Sequence, residues 1–407
     1  MGWMTELSAL YDLVTNDLER NDKPLPLYHI ENNAPLIITL NGEGMFQTAR
    51  LLDEKSEKSD WPTCMPCTEK SAVRTSGAEA YPFCDKLEYV AGDYDTLEYV
   101  IDEYQDAHDD KKRKDKHEKL KDKHEKYLAL LKEWAESKEY SNQKIKSVYK
   151  YVKEGTPVTD LLRVRLLQRG IDVDPNTGLE QLLEQELAFP QKGIVDAETG
   201  RKQLQQELEF LRERPVDAKT GPKQLQQELE FLPEAVVDAK TGRKQLQQEL
   251  TSSQEGVVDA ETRRKQLQEL LKEINVFVKW EVEIPGDSHG QTWKDADIQK
   301  LWVQFYSNYL KRSNKAGFCY VSGKNVTIAT LHPIKIRHAG DSARIISSND
   351  NANYTFRGRF ENAEQACQIG IEITTKAHSA LRWLIAKQQN KPIGKGLTVV
   401  SWCSTLA

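Results

Sequence analysis

No run of about 18 apolar residues occurs in this 407-residue chain, so no segment is long enough to cross a bilayer as a helix. The start, MGWMTELSALYDL, lacks the basic stretch and apolar core of a secretion signal. It also fails as a myristoylation site, which needs Ser or Thr where this chain has Glu6. These absences point to a cytoplasmic protein. Cysteine is scarce. Cys64, Cys67, Cys84, Cys319, Cys367 and Cys403 are too few for a disulfide scaffold at this length, and reduced thiols are expected. Cys64 and Cys67 form a CxxC, but no second CxxC or paired His follows and only Cys84 lies near, which favours an incidental loop pair over half of a zinc site.

Catalytic signatures are missing as well. There is no Walker loop, no HxxxH, no carboxylate set suited to two metals and no nucleophile beside an evident base, so neither an enzyme nor a cofactor is expected. His117-Glu118 and His124-Glu125 lack the second His that a zinc-protease helix places four residues after the first. Lys121 and Leu128 stand there, and a charged helix face is the reading. Nor is there an excess of cations: the net charge is −6. Phosphate backbones reward Lys and Arg through counterion release, so the free chain is not expected to bind DNA strongly unaided.

The charge is nevertheless sorted along the chain. Residues 1–104 hold 8 basic and 20 acidic side chains, whereas the stretch from Ala316 to the C-terminus holds 11 basic and 5 acidic. From Gly317 to Trp383, basic, amide and small polar residues crowd between apolar runs, as on a folded surface made for nucleic acid. Lys335, Arg337, Arg344, Arg357 and Arg359 interleave with Ser347, Ser348, Asn349, Asn351 and Asn353, small donors suited to sugar and phosphate oxygens. A long polar loop folded over its own sheet would use the same residues, because Ser and Asn satisfy nearby backbone groups by themselves.

The length predicts two or three domains, and the element pattern predicts an α+β fold. A mixed N-terminal module covers 1–104. Its opening helix places Leu7, Leu10, Tyr11, Val14 and Leu18 on one face. APLIITLNGEG reads as a strand entering a hairpin at Asn41-Gly42, with the return beginning at Met45 and Phe46. A charged helical region follows over 105–170, with Leu120, Tyr127, Leu130, Leu131 and Trp134 at helical intervals.

A helical arm of tandem repeats covers 171–272. DPNTG, DAETG, DAKTG, DAKTG and DAETR begin at Asp174, Asp196, Asp217, Asp238 and Asp259, at spacings of 22, 21, 21 and 21. Asp and Thr favour a turn, Gly200, Gly221 and Gly242 permit positive φ, and Pro222 suits the first helical position. Leu204, Leu208 and Leu211 give each helix a narrow apolar face. The copies either stack as a short array or project as a duplicated, dispensable arm; their near-identity favours the arm.

A second mixed module covers 273–407, for nucleic acid or a complex partner. Val276, Val278, Trp280, Val282 and Ile284 alternate along a half-buried strand that Pro285-Gly286 ends. Asp295 then caps a helix whose stripe is Ile298, Leu301, Trp302, Phe305 and Tyr309. A last helix, read over ENAEQACQIGIEITTKAHSALRWLIAKQ, turns Ala366, Ile369, Ile373, Ala377 and Leu381 inward, with Arg382 off that face and His378 as a packing residue.

Several of these stretches, in order, resemble the large subunit of the subtype I-C CRISPR surveillance complex, the DNA-scanning Cascade. They are RTSG at Arg74–Gly77, CDKLEYVAG at Cys84–Gly92, VKWEVEIPGD, CYVSG at Cys319–Gly323, LHPIKIRHAGD at Leu331–Asp341, SSND at Ser347–Asp350, FRGRF at Phe356–Phe360, QACQIG and KAHSALRWLI. The helical middle and the repeats lie outside the likeness. The resemblance implies a non-catalytic subunit that recognises a short motif (PAM) beside the target and helps open the duplex, while guide RNA reads the sequence. Its implied partners are the guide-RNA-bound backbone and guide-end subunits, target double-stranded DNA and a recruited helicase-nuclease. Family members continue beyond the strand that here reads LTVVSWC, so a truncated form is expected.

Within RTSG, Arg74 can donate a bidentate pair to phosphate or guanine, Thr75 and Ser76 can bond phosphate oxygens, and Gly77 lets backbone approach the duplex. A tight turn in which Arg74 caps a strand explains the same four residues without DNA. A scaffold that docks on guide RNA and neighbouring subunits, never touching the target, is the competing function.

Overall fold

The computed structural model describes residues 2–74, 79–103, 110–174, 176–188, 260–338, 341–346, 367–388 and 398–403. Residues 1–182 and 269–407 form one compact unit and residues 183–268 another. The fold is α+β.

Three strands build the central mixed sheet. Strand β2 (Leu36–Asn41) pairs antiparallel with β3 (Phe46–Leu51) and parallel with β5 (Val278–Glu283), Leu36 lying opposite Val278. Strands from either side of the repeat block thus share one sheet. As the middle strand, β2 is buried on both faces from Leu36 to Leu40, which explains the near-continuous apolar run LIITL. On β5, Val278, Trp280 and Val282 turn inward as the alternation predicts. Lys279, expected on the polar side, is buried too; its ammonium donates to the Asp60 carbonyl at 2.6 Å and sits 4.6 Å from the Trp293 ring.

The β2–β3 turn differs from the predicted two-residue loop. Asn41 Oδ1 accepts from the amides of Glu43 and Met45, and the positive φ (76°) falls on Gly44 instead of Asn41 or Gly42. A Cβ on Gly44 would lie 2.6 Å from the Ser147 carbonyl oxygen. Gly44→Ala is therefore expected to cost about 1–3 kcal/mol through backbone strain, read as a lower urea midpoint.

Strand β1 (His29–Asn33) pairs antiparallel with β4 (Pro62–Pro66) in a second, small sheet. Cys64 lies on β4 opposite Glu31, and Cys67 follows it, donating its amide to the Tyr28 carbonyl. Burial pushes both thiols up to about 12, so they stay protonated.

Helix α1 (Trp3–Asn16) buries Met4, Leu7, Leu10, Tyr11 and Val14, while Leu18 falls beyond its end and is 91% exposed. The short helices α2 (Glu69–Ala72) and α3 (Leu87–Val90) lead to α4 (Tyr94–Glu103) and α5 (Asp110–Ala135). Helix α5 buries Leu120, Tyr127, Leu131 and Trp134 of the expected set, while Leu130 is half-buried. Its histidines are not simply solvated: His117 pairs with Asp95, and His124 Nδ1 lies 3.0 Å from the Tyr89 carbonyl oxygen.

Helices α6 (Gln143–Glu154) and α7 (Pro157–Gln168) follow, then α8 (Leu179–Ala188). In the first repeat copy, the Asp174 side chain accepts from the Asn176 amide, its carbonyl accepts from Thr177, and α8 starts directly afterwards. Helix α9 (Ala260–Ile274) begins inside the last copy, DAETR, whose Asp259 lies outside the described residues. The copies at Asp196, Asp217 and Asp238 lie outside the described residues.

Helix α10 (Ala296–Ser313) is capped by Asp295, whose carboxylate accepts from Asp297 and Ile298. Its Trp302 stands 5.0 Å from Trp134, edge to face, and its indole donates to the Tyr28 carbonyl. The hairpin of β6 (Ala316–Phe318) and β7 (Asn325–Thr327) leads to α11 (Ile371–Lys387). Helix α11 starts later than expected: Gly370 is its N-cap, Cys367–Ile369 precede it, and Ala366 lies outside the described residues. It buries Ala377, Ala380 and Leu384 against Leu7, Leu10 and Val14 of α1. The first and last helices among the described residues thereby share one core, each fully buried Leu contributing about 1.5–3 kcal/mol.

Candidate nucleic-acid interface

The loop between β7 and α11 positions the cations that the sequence singled out. Lys335 adopts φ 60°, a left-handed conformation that a side chain with a Cβ rarely takes. Its neighbours hold it there. The Lys335 amide donates to the Asp341 carbonyl, the Asp341 amide to the His338 carbonyl, and the Asp341 carboxylate accepts from the Ala343 amide. Arg337 closes the turn with a bidentate pair, Nε and Nη2 each donating to Asp341 at 2.9 Å. That pair holds the Asp341 carboxyl far below the ordinary carboxylate range. Asp341 is thus the organising residue of the loop.

The ammonium of Lys335 donates to Asn32 Oδ1 of β1 at 2.8 Å. From α11, Arg382 reaches back and donates through Nε to the Lys335 carbonyl (2.8 Å) and through Nη2 to the Ile334 carbonyl (2.9 Å). Neither cation has a carboxylate within ion-pair distance among the described residues. Burial, with repulsion from Arg382 and Arg74, lowers the Lys335 pKa, and burial lowers that of Arg382. Sequence reading placed Arg382 on the outer face of its helix. What it missed was that the preceding loop folds over that face, and no local pattern signals this.

Arg74 belongs to the same neighbourhood but is committed to the protein. Its guanidinium meets Asp85 in a bidentate pair (2.6 and 2.8 Å), donates to the Glu79 carbonyl at 2.7 Å, and lies 4.6 and 4.4 Å from the Tyr81 and Tyr89 rings. Its side chain is 9% exposed and that of Asp85 is fully buried. Asp85 also accepts from the Tyr81 and Lys86 amides, so one carboxylate fastens both Arg74 and Tyr81. Arg74 thus ties its own segment to Glu79 and the buried Asp85. Thr75, Ser76 and Gly77 lie outside the described residues, as do Ser347, Ser348, Asn349, Arg357 and Arg359.

Of the predicted set, Arg74 and Lys335 come close enough to repel each other, although 261 residues separate them. Arg344 is exposed. A cavity of about 260 Å³ opens beside Lys335 and is lined by Lys23, Glu31, Arg337, His338, Arg382 and Trp383 among others. Across this region cations outnumber carboxylates, an arrangement that accepts an anion and disfavours a cation.

Residues 7–406 match the family model described as CRISPR-associated protein (Cas_Csd1). The chain belongs to that CRISPR-associated family. None of the curated proteins compared with it matches. Within this Cas_Csd1 member, a second, mainly apolar cavity of about 50 Å³ adjoins the cationic one and shares Ser379 and Arg382 with it. His29, His332 and His378 line it, all buried. His29 Nδ1 lies 2.8 Å from the Leu27 carbonyl oxygen and His378 Nδ1 lies 2.7 Å from that of Thr374, so each Nδ1 carries the proton. Nε2 of both rings is left without a protein partner among the described residues, and the space suffices for water to supply one. The sequence reading of His378 as a packing residue fits this position; His29 and His332 drew no notice there. No helix among the described residues is long and apolar enough to cross a membrane.

Proposed function

We propose that this chain is the non-catalytic large subunit of a subtype I-C Cascade, an RNA-guided antiviral ribonucleoprotein, and that it recognises the PAM and binds target DNA while the R-loop forms. The observation that carries the reading is the meeting of Lys335, Arg337 and Arg382 around one loop of a family member whose overall charge is negative. A chain of net charge −6 repels a polyanion unless its cations are gathered on one face. Gathered cations grip phosphates without reading bases, which suits a protein whose guide RNA does the reading. Its partners are then the guide-RNA-bound backbone and guide-end subunits, the target duplex and a recruited helicase-nuclease.

Reconstitution with guide RNA and the backbone subunits tests this. Complexes containing the chain are expected to bind PAM-bearing duplex at least tenfold more tightly than complexes without it, and to lose that gain when the PAM is altered. Exposed Arg344 gives a finer readout. Arg344→Ala is expected to weaken binding a few-fold and to reduce the slope of log K against log salt by about 0.9, one phosphate's share. Equal affinity with and without the chain would instead support the scaffold reading. That reading has its own observation, since Arg74 and Arg337 each face a bidentate carboxylate and offer less charge to DNA.

A further inference from the structure

We infer that the 260 Å³ cleft between the α1–β1 connection, the Ile334–His338 loop and α11 is a discrete site for one phosphodiester group of a nucleic acid, held between Lys335 and Arg382. This rests on the nucleic-acid reading above and assigns it a place and ligating side chains, among them Lys23 and Arg382, which sequence patterns did not single out.

The reasoning starts from unbalanced charge. A cation withdrawn from water is matched by a carboxylate at Arg74, by Asp85, and at Lys144, by Asp287 and Asp295, whereas Lys279 has the Asp60 carbonyl and the Trp293 ring. Lys335 and Arg382 are only partly exposed, yet they face an amide oxygen and two carbonyls, neutral acceptors that orient a cation without cancelling it. Burial and the nearby Arg382 lower the Lys335 pKa, and burial lowers that of Arg382 against a partial upward pull from Cys67 and Glu31. An anion placed between them would remove both penalties at once.

Donors remain for it. Lys335 uses one of its three N–H bonds on Asn32, Lys23 uses one on the Thr15 carbonyl, and Arg382 uses two of its five on the loop carbonyls. Arg382 is therefore fixed in direction while still presenting N–H groups, the preorganised donor that a phosphate oxygen needs. The left-handed Lys335 backbone points the same way, because strain of that kind persists where the surroundings impose it for use. Glu31 is the one carboxylate among the lining residues, and it is exposed. The volume is below the roughly 300–1,000 Å³ of ordinary small-molecule pockets and suits a phosphate with part of its sugar.

The test uses the purified full chain with fluorescein-labelled 15-nucleotide oligothymidylate DNA and oligouridylate RNA, titrated from low to moderate salt. The wild type is expected to bind at low salt. Lys335→Gln and, separately, Lys23→Gln are each expected to weaken binding about three- to tenfold and to lower the salt slope by about 0.7 per lost contact, while Lys335→Arg keeps the slope. Lys23 lies outside the strained loop, so its variant reports on the cleft even if Lys335→Gln unfolds the loop. Comparison of the two oligonucleotides tells whether the phosphodiester is DNA's or RNA's. No binding by the wild type, or unchanged slopes in both glutamine variants, would overturn the inference. PAM discrimination by the reconstituted complex would then still stand or fall separately.

Discussion

Arg74→Ala is expected to destabilise the protein by about 3–5 kcal/mol, the cost of stranding a buried carboxylate. Asp85 is fully buried and has two amide donors besides Arg74, so removing the guanidinium leaves its charge without a counter-ion. Burial already raises the Asp85 pKa against the downward pull of Arg74, and loss of Arg74 would raise it further. Contacts with the Tyr81 and Tyr89 rings go as well. The paired replacement of Arg74 by Met and Asp85 by Leu should cost less than either single change, because no lone charge remains. Urea melts of the three variants check this. If Arg74→Ala melted like the wild type while DNA affinity fell, Arg74 would be serving nucleic acid and not the fold.

Acid should unfold the protein earlier than its carboxylates alone require. Burial lowers His29, His332 and His378 from 6.5 to about 4 each. The sign follows from proton uptake: below pH 6.5 the unfolded chain protonates all three rings while the folded chain resists until about pH 4. Stability is thus full above pH 6.5 and falls as the pH drops to 4, by on the order of 3 kcal/mol for each ring at the acid end. Arg382 beside His378 and Arg344 near His332 add repulsion to any imidazolium. The measurement is the unfolding free energy at pH 7.5, 5.5 and 4.5. His378→Gln should flatten the curve in that window, and a wild-type curve already flat there would show that the three rings titrate normally.

Features that depend on neighbours in sequence were legible in the sequence. The Asp295 cap, the inward face of α1, most of the α5 stripe and Ile298, Trp302 and Phe305 of α10 follow from helical periodicity and one capping oxygen, whereas Tyr306 and Leu310 of α10 are buried in place of Leu301 and Tyr309. Errors arose where a distant partner decided the outcome. Lys279 looks like the polar position of an alternating strand, but the Asp60 carbonyl and the Trp293 ring bury it. Asn41-Gly42 carries a tight-turn signal, yet the Asn41 side chain caps a longer loop and moves the positive φ to Gly44. At the candidate site, local composition marked Lys335 and Arg337 as notable. It could not show that Asp85 neutralises Arg74, or that Arg382 folds back under Lys335 from 47 residues downstream.

The parallel pairing of β2 with β5 joins residues 242 positions apart, as the Thr39–Glu281 contact measures. On the ribosome, at roughly 5–20 residues per second, LIITL therefore emerges about 12–48 s before the strand that covers its second edge. The repeat block lengthens that delay with every copy. Until then the hairpin with β3 can shield only one side, leaving an aggregation-prone template during synthesis. Duplications in the middle of this gene thus tax the nascent polypeptide at its N-terminal end, where chaperone occupancy should concentrate.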